Sequence, residues 1–263
     1  MNDPIDHRVT VANAVATISF ARPHAYNALT AELLESLLAT LKAIERDASV
    51  RAIVITGDGK AFCAGQALDD AQTLPPGGAA DLANTVEKRY NPLVIKLLTI
   101  EKPVIAAVNG VAAGAGMGIA CACDLRIVAD TASFTTAFVK IGLVPDSGLS
   151  FTLPRVVGYA NALELCMLSE KVDAARADAL GLCTRVVPAE RCLEEAQTLA
   201  ATLARGPLAL GLIKRELARN GLGDIQAALA YEAHLQTIAG ATADFAEGLA
   251  AFTAKRAPEF RGS

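Results

Sequence analysis

Pro103-Val-Ile-Ala-Ala-Val108, Asn109-Gly110, Val111-Ala-Ala-Gly114-Ala115-Gly116-Met117-Gly118, Ile119-Ala-Cys-Ala-Cys123, Asp124: this stretch, uncharged until it ends at Asp124, decides the fold. Val104 to Val108 is a short apolar, β-branched run of strand length, and Asn109-Gly110 stops it. Glycines 114, 116 and 118 then precede Ile119 to Cys123, which is helix-compatible. A strand, a Gly-rich turn and a helix start together let backbone N–H groups point at a ligand. The first amides of a helix lack intrahelical partners, and the dipole there favours negative charge. Close helix–sheet packing without chemistry would need the same glycines, and the turn alone leaves that reading open.

Other readings of the stretch fail. A membrane span needs roughly 20 apolar residues; the length is there, but Asn109-Gly110 breaks it and the run is Ala/Gly-rich. A dinucleotide site needs Gly-x-Gly-x-x-Gly in the first βα unit, whereas Gly114-x-Gly116-x-Gly118 has the wrong spacing and lies mid-chain. No Gly-Lys-Ser/Thr follows to make a P-loop.

The chain has 263 residues, enough for one large domain or a domain with an appendage. With 52% hydrophobic residues, no Trp and 5% aromatics, its core is expected to be aliphatic and Ala-rich. A net charge of −4 offers no electrostatic footprint for nucleic acid or an anionic membrane, so neither is expected as a partner. Met-Asn-Asp-Pro-Ile-Asp shows no basic and apolar leader. Cysteines 63, 121, 123, 166, 183 and 192 form no Cys-x-x-Cys pair, which suits reduced core residues of a cytoplasmic protein. His7, His24 and His234 lack metal-ligand spacing, so no metal is expected.

Taken in order, Val9–Val11 and Ala14–Phe20 read as a hairpin. Thr30 is an N-cap for a helix running to about Arg46, and Arg51–Thr56 is a buried strand. Lys60–Leu68 is a second small-residue turn after a buried strand. The 69–83 region, with Pro75-Pro76-Gly77-Gly78, reads as a loop; residues 83–99 read as one amphipathic helix. Strand 124–129, helices 159–168 and 174–180, and a strand over 181–187 follow. From Glu190 onward the pattern is helical: 190–204, 207–219, 224–238 and 243–253. Strands followed by a run of helices divide the chain into a mixed body over 1–189 and a helical region over 190–263. Pro145-Asp146-Ser147-Gly148 is explained on composition alone as a turn.

Two small-residue turns after buried strands are the arrangement an oxyanion hole needs. The pieces resemble the crotonase (enoyl-CoA hydratase/isomerase) superfamily: Arg22-Pro23-x4-Asn27-Ala28-Leu29, Phe62-Cys63-Ala64-Gly65, Asn109-Gly110-x3-Gly114-x-Gly116, Asp124, Gly142-Leu143-x-Pro145, Leu153-Pro154-Arg155 and Lys255-Arg256-x-Pro258-x-Phe260. The resemblance spans nearly the whole chain. It implies an α/β, ClpP/crotonase-like spiral of ββα units with a helical C-terminal region that builds a homotrimer or dimer of trimers. It also implies an acyl-CoA thioester ligand, with no cofactor beyond the coenzyme A carried by the substrate. Oxyanion donors fall on the N–H groups of Gln66 and Ala115.

Where hydratases of the superfamily carry two glutamates, this chain has Gly118 and Phe138. Asp146 stands where some members carry a single catalytic carboxylate. The residues around Gly65-Gln66, Val139–Gly148 and Ala243–Phe260 look like the branch that isomerises ring-epoxidised phenylacetyl-CoA, although that branch has an Asp where this chain has Ala67. The expected chemistry is isomerisation of a CoA thioester, with Asp146 as proton shuttle. Ala25, Ala64, Ala67, Leu68, Gly114, Phe138 and Leu143 are expected along the substrate path, with Arg22 and Lys255 as phosphate contacts. A hydratase using another acid (Asp69 or Asp70) and a CoA-thioester-binding subunit with little activity are the alternatives. A serine peptidase on a related spiral lacks a His in a plausible triad segment.

Overall fold

The computed structural model describes residues 6–67, 82–221 and 225–259. Leu68, Asp69 and Asp70, and most of the expected 69–83 loop, lie outside them. The chain opens with an antiparallel hairpin, β1 (His7–Ala12) and β2 (Val15–Phe20). Thr30 caps α1 (Ala31–Arg46) by accepting from Leu33 N–H, and the helix buries Leu33, Leu34, Leu37, Leu41 and Ile44 along one stripe.

A spiral then repeats. β3 (Ala52–Gly57) turns into β4 (Ala61–Cys63), β5 (Val104–Val108) into β6 (Val111–Ala113), and β7 (Leu125–Ala129) into β8 (Ser133–Thr135). The first strand of each pair joins a larger sheet of order β1-β2-β3-β5-β7-β10, where β10 is Arg185–Val187. The second joins a smaller sheet, β4-β6-β8-β9, where β9 is Val172–Asp173. From β2 to β10 the larger sheet is parallel, and β3 and β5 are wholly buried, as sheets covered on both faces require.

The corners stack because they lack side chains. A β-carbon at Gly57 would lie 2.2 Å from the Ala61 oxygen, and one at Gly110 would lie 2.1 Å from the Lys60 oxygen. Two asparagines tie the corners together. Buried Asn27 donates to the Asp58 and Ala61 carbonyls (2.9 and 2.8 Å) and accepts from Arg22 N–H (3.0 Å). Asn109 Oδ1 accepts from Gly57 N–H at 3.2 Å.

The expected helix over 83–99 is divided. α2 (Leu82–Thr85) passes into a π turn (Val86–Tyr90) before α3 (Asn91–Thr99). Pro92 has no N–H and its ring crowds the preceding turn, so the chain widens; Asn91 N–H bonds to Val86 O, five residues back. The wider turn buries Tyr90 completely. The central helix also starts earlier than its glycines suggest: α4 runs Ala115–Ala122 with Gly116 and Gly118 inside it. Those two serve close approach, not the turn. A β-carbon at Gly116 would sit 2.2 Å from the Cys63 oxygen, and one at Gly118 would sit 2.8 Å from the Ser147 Cβ.

Residues 149–157, not expected as a helix, form α5 (Leu149–Val157) with Pro154 inside it. α6 (Tyr159–Leu168) and α7 (Ala174–Ala179) follow. The expected strand over 181–187 shortens to β10, because Leu182 N–H closes the end of α7 and its carbonyl takes Arg126 Nε at 2.7 Å. α8 (Cys192–Ala204), grouped by sequence with the C-terminal helices, packs across β2, β3, β5 and β7. α9 (Ala209–Gly221), α10 (Ile225–Gly240) and α11 (Ala243–Thr253) complete the chain. No helix of the described residues is long and apolar enough to cross a membrane.

Candidate active site

The two small-residue turns meet. Leu29 and Gln66 form a single parallel bridge: Leu29 N–H donates to the Gly65 oxygen (2.7 Å) and Ala67 N–H to the Leu29 oxygen (2.9 Å). Bonding to a parallel neighbour alternates along a strand, so the N–H of Gln66 itself turns away from Leu29. Ala115 is the first residue of α4, and its N–H has no carbonyl one turn behind it. Among the described residues, neither amide donates to an internal carbonyl. Gly65 (φ +92°) and Gly114 (φ +52°) supply the left-handed backbone that these turns require. A β-carbon at Gly65 would lie 3.5 Å from Ala115 N, which shows how closely the turns abut.

Gln66 and Ala115 line a cavity of about 240 Å³ together with Ala64, Gly65, Gly114, Phe138, Leu143 and Asp146. Its outer wall is apolar: Tyr90 from the π turn, Phe245, Leu249 and Phe252 from α11, and Leu82 and Ile141. Lys140 also borders it. At the far end of α4, the guanidinium of buried Arg126 takes the Ala120 and Cys123 carbonyls (3.3 and 2.7 Å). A cation on those carbonyls complements the helix dipole, whose positive end is at Ala115.

Asp146 is 7% exposed. It sits in a loop with Ser147 and Gly148 both at left-handed φ (+54° and +73°), just before α5. Burial pushes its carboxyl up to about 6, against two donors that favour the charged form: Ser147 Oγ on Oδ1 at 2.8 Å and Gln236 Nε2 on Oδ2 at 2.9 Å. Such a group is ionised at neutral pH yet basic enough to take a proton from carbon, the compromise general-base catalysis favours.

Behind the loop lies a second carboxyl that sequence reading did not single out. Glu232 on α10 is 2% exposed; it accepts from Gly148 N–H at 3.1 Å and shares a short hydrogen bond with Ser150 Oγ. Burial foremost, with the like charge of Asp146 adding to it, raises Glu232 to about 7. Glu232 and Gln236 are one turn apart on the same buried face as Leu229 and Ala233. That polar pair on an otherwise apolar stripe was the available signal. Tyr90, Phe245 and Phe252 gave none, since each reads as an ordinary helix residue.

The remaining expected residues lie elsewhere. Ala25 is half-buried in a 3-10 turn (Pro23–Ala25), and Ala67 is buried in the bridge to Leu29; neither lines the cavity. Leu68 is outside the described residues. Arg22 was expected at a phosphate, but its guanidinium faces the protein: it donates to the Ala28 carbonyl at 2.7 Å and pairs with Asp6 at 3.4 Å. Lys255 is exposed just past the end of α11 and does not border the cavity. Asp124 is structural, accepting from Val104 N–H and Lys214 Nζ (2.8 and 2.9 Å).

Known proteins share this architecture. The chain is 43% identical over 253 residues to a 1,2-epoxyphenylacetyl-CoA isomerase from Escherichia coli strain K12, covering 96% of this chain and 97% of that one. It is 35% identical over 261 residues to a 4-chlorobenzoyl coenzyme A dehalogenase-2 from Arthrobacter sp., covering 97% and 94%. The crystal structure of an enoyl-CoA hydratase from Mycobacterium avium subsp. paratuberculosis K-10 superposes with a TM-score of 0.88 at 32% identity, covering 98% and 100%. These three names describe three different reactions, so likeness alone leaves the reaction open. Residues 10–263 match the model of one family, so the chain belongs to the enoyl-CoA hydratase/isomerase family.

Proposed function

We propose that this enzyme isomerises a CoA thioester through an enolate. The thioester oxygen lies between Gln66 N–H and Ala115 N–H, whose field strengthens as negative charge develops on it; loss of one such donor costs on the order of 3 kcal/mol. The Asp146 carboxylate takes a proton from the α carbon and returns it elsewhere along the conjugated system. For a 3-enoyl-CoA the proton leaves C2 and arrives at C4, giving the 2-enoyl-CoA. Atoms and charge balance with no other reactant.

The observation that carries this reading is that the described cavity wall holds a single carboxyl. Asp146 is the acidic side chain among the described lining residues. The position of one hydratase glutamate is closed, because a β-carbon at Gly118 would meet Ser147 at 2.8 Å. Phe138 occupies the other and is itself a wall of the cavity. Glu232 is held on Gly148 and Ser150, behind the loop. One acid suffices to move a proton, whereas adding water generally needs a second group to orient it. The aromatic walls suit a cyclic acyl group, so 2-(1,2-epoxy-1,2-dihydrophenyl)acetyl-CoA is a candidate substrate beside 3-enoyl-CoA; phenylacetate catabolism or fatty acid metabolism is the matching setting. Exposed apolar side chains on the C-terminal helices (Leu217, Tyr231, Ile238) and at the turn before α9 (Leu208) suit self-association, which we propose is a homotrimer.

Incubation with 3-hexenoyl-CoA, 2-hexenoyl-CoA and the ring epoxide tests the reading. Double-bond migration or ring expansion supports it. Steady water addition to 2-hexenoyl-CoA without migration overturns it in favour of a hydratase. Tight binding with no turnover of any of the three favours the binding subunit.

A further inference from the structure

We infer that Gln236 and Glu232 are positioning residues for Asp146, acting as a two-point clamp on the loop that carries it. The inference rests on the proton-transfer reading above and goes beyond it, since neither side chain lines the cavity.

Both are polar side chains in a nearly dry place, 1% and 2% exposed, on a helix face otherwise occupied by Leu229 and Ala233. Apolar residues at these positions would avoid the desolvation that a buried amide and carboxyl incur. Each instead reaches the same short loop. Gln236 Nε2 donates to Asp146 Oδ2 (2.9 Å) and to the Val144 carbonyl (3.1 Å). Glu232 accepts from Gly148 N–H and bonds to Ser150 Oγ. The clamp thus grips the loop on either side of the acid and touches the acid itself.

The loop needs holding. Ser147 at φ +54° adopts a conformation that side-chain-bearing residues rarely take, and Gly148 follows at φ +73°. Gln236 also bears a cost of its own: Oε1 is buried without a partner among the described residues. A carboxamide that leaves its acceptor unsatisfied is held there for its donor end. That donor favours the ionised form of Asp146 and aims Oδ2, so it sets both the basicity and the direction of the carboxylate. The other titratable groups around Asp146 are Glu232 from α10, whose charge couples to it, and Lys140 (in a 3-10 turn, Phe138–Ile141) and Tyr90 (in the π turn), which border the same cavity.

The test separates positioning from mere support. In the full chain labelled with 13C at Asp Cγ, the Asp146 resonance is assigned by its absence in Asp146→Asn and then titrated. Gln236→Met keeps the volume and removes the donor; the Asp146 midpoint should rise by about 0.5–1 pH unit. The acid limb of kcat/KM for 3-hexenoyl-CoA should move up with it, and kcat should fall about tenfold with KM little changed. Glu232→Leu should also lower kcat, and Glu232→Gln should recover most of it, because the amide oxygen can still accept from Gly148 N–H while its NH2 donates to Ser150 Oγ. A folded Gln236→Met protein with an unmoved midpoint and acid limb overturns the inference, as does Glu232→Gln behaving like Glu232→Leu. If Gln236→Met does not fold, Gln236→Asn, too short to reach Oδ2, takes its place with the same two outcomes. The carboxyl titration needs no turnover, so wild-type protein inert toward 3-hexenoyl-CoA would count against the proposed function and leave the clamp to be decided by its midpoint.

Discussion

On one side of the cavity the polar groups are backbone amides, Gln66 and Ala115, fixed where the chain leaves β4 and β6. On the other they are side chains: Asp146, with Gln236 and Glu232 behind it. The amide side is built by omission. Gly65 and Gly114 supply the left-handed turns, Gly116 lets α4 press on the Cys63 carbonyl, and the donors stay put because the sheets hold them. The acid side is built by addition, from buried polar groups that each need a partner, on a loop with its own strain. The first needs small residues and tolerates almost any identity at Gln66. The second depends on what each side chain is, and its groups titrate.

The largest effect should come from forcing the acid side's chemistry onto the amide side. Gly118→Glu would restore a hydratase glutamate, but its β-carbon would strike Ser147 and its charge would be buried near Asp146. We expect a loss of about 4 kcal/mol or more in denaturant unfolding and no gain of water addition. A stable Gly118→Glu protein that hydrates 2-hexenoyl-CoA would erase the distinction.

An intermediate effect concerns pH. Asp146 rises from 3.8 to about 6 and Glu232 from 4.5 to about 7 on folding, so between those values the folded state binds more protons than the unfolded one. Stability from these groups is therefore full below about pH 4, declines as pH rises, and levels off above about pH 7. The decline should amount to on the order of 6 kcal/mol for the coupled pair. Denaturant melts from pH 4 to 8 should show it, and the double variant Asp146→Asn/Glu232→Gln should flatten it. An equally steep slope in that variant would place its origin elsewhere.

The smallest effect sharpens the other half. Because the donor at Gln66 is its N–H, Gln66→Ala should change kcat/KM for 3-hexenoyl-CoA by no more than about threefold, far below the hundredfold or greater loss of a true oxyanion donor. A loss of that larger size would make the side chain a participant.

The same contrast explains what could be read from sequence. The buried strands 51–56 and 104–108 and the Gly-containing turns after them were legible from their residues, as was α1 from Thr30 and the Leu33–Ile44 stripe, while the spiral itself came from the family resemblance. The meeting of the two turns was legible too, since glycine marks close backbone approach. The short strands of the smaller sheet were not: three residues such as Ala61–Cys63 carry no period, and only pairing defines them. Nor was the division of 83–99, where the apolar stripe runs on through Pro92. The clamp on Asp146 was least visible, because its partner Gln236 lies 90 residues away and its role exists only once α10 docks. Arg22 shows the reverse case: its motif pointed to a phosphate, while in the fold its guanidinium bonds to the Ala28 carbonyl and pairs with Asp6.

The most direct measurement compares wild type with Asp146→Asn on 3-hexenoyl-CoA deuterated at C2, following both rate and the fate of the label, with binding of a non-reactive acyl-CoA as control. We expect the rate to fall about a thousandfold with binding unchanged, and part of the label to reappear at C4 in wild type. Isomerisation that persists at near wild-type rate in Asp146→Asn would contradict a lone acid carrying the proton between carbons.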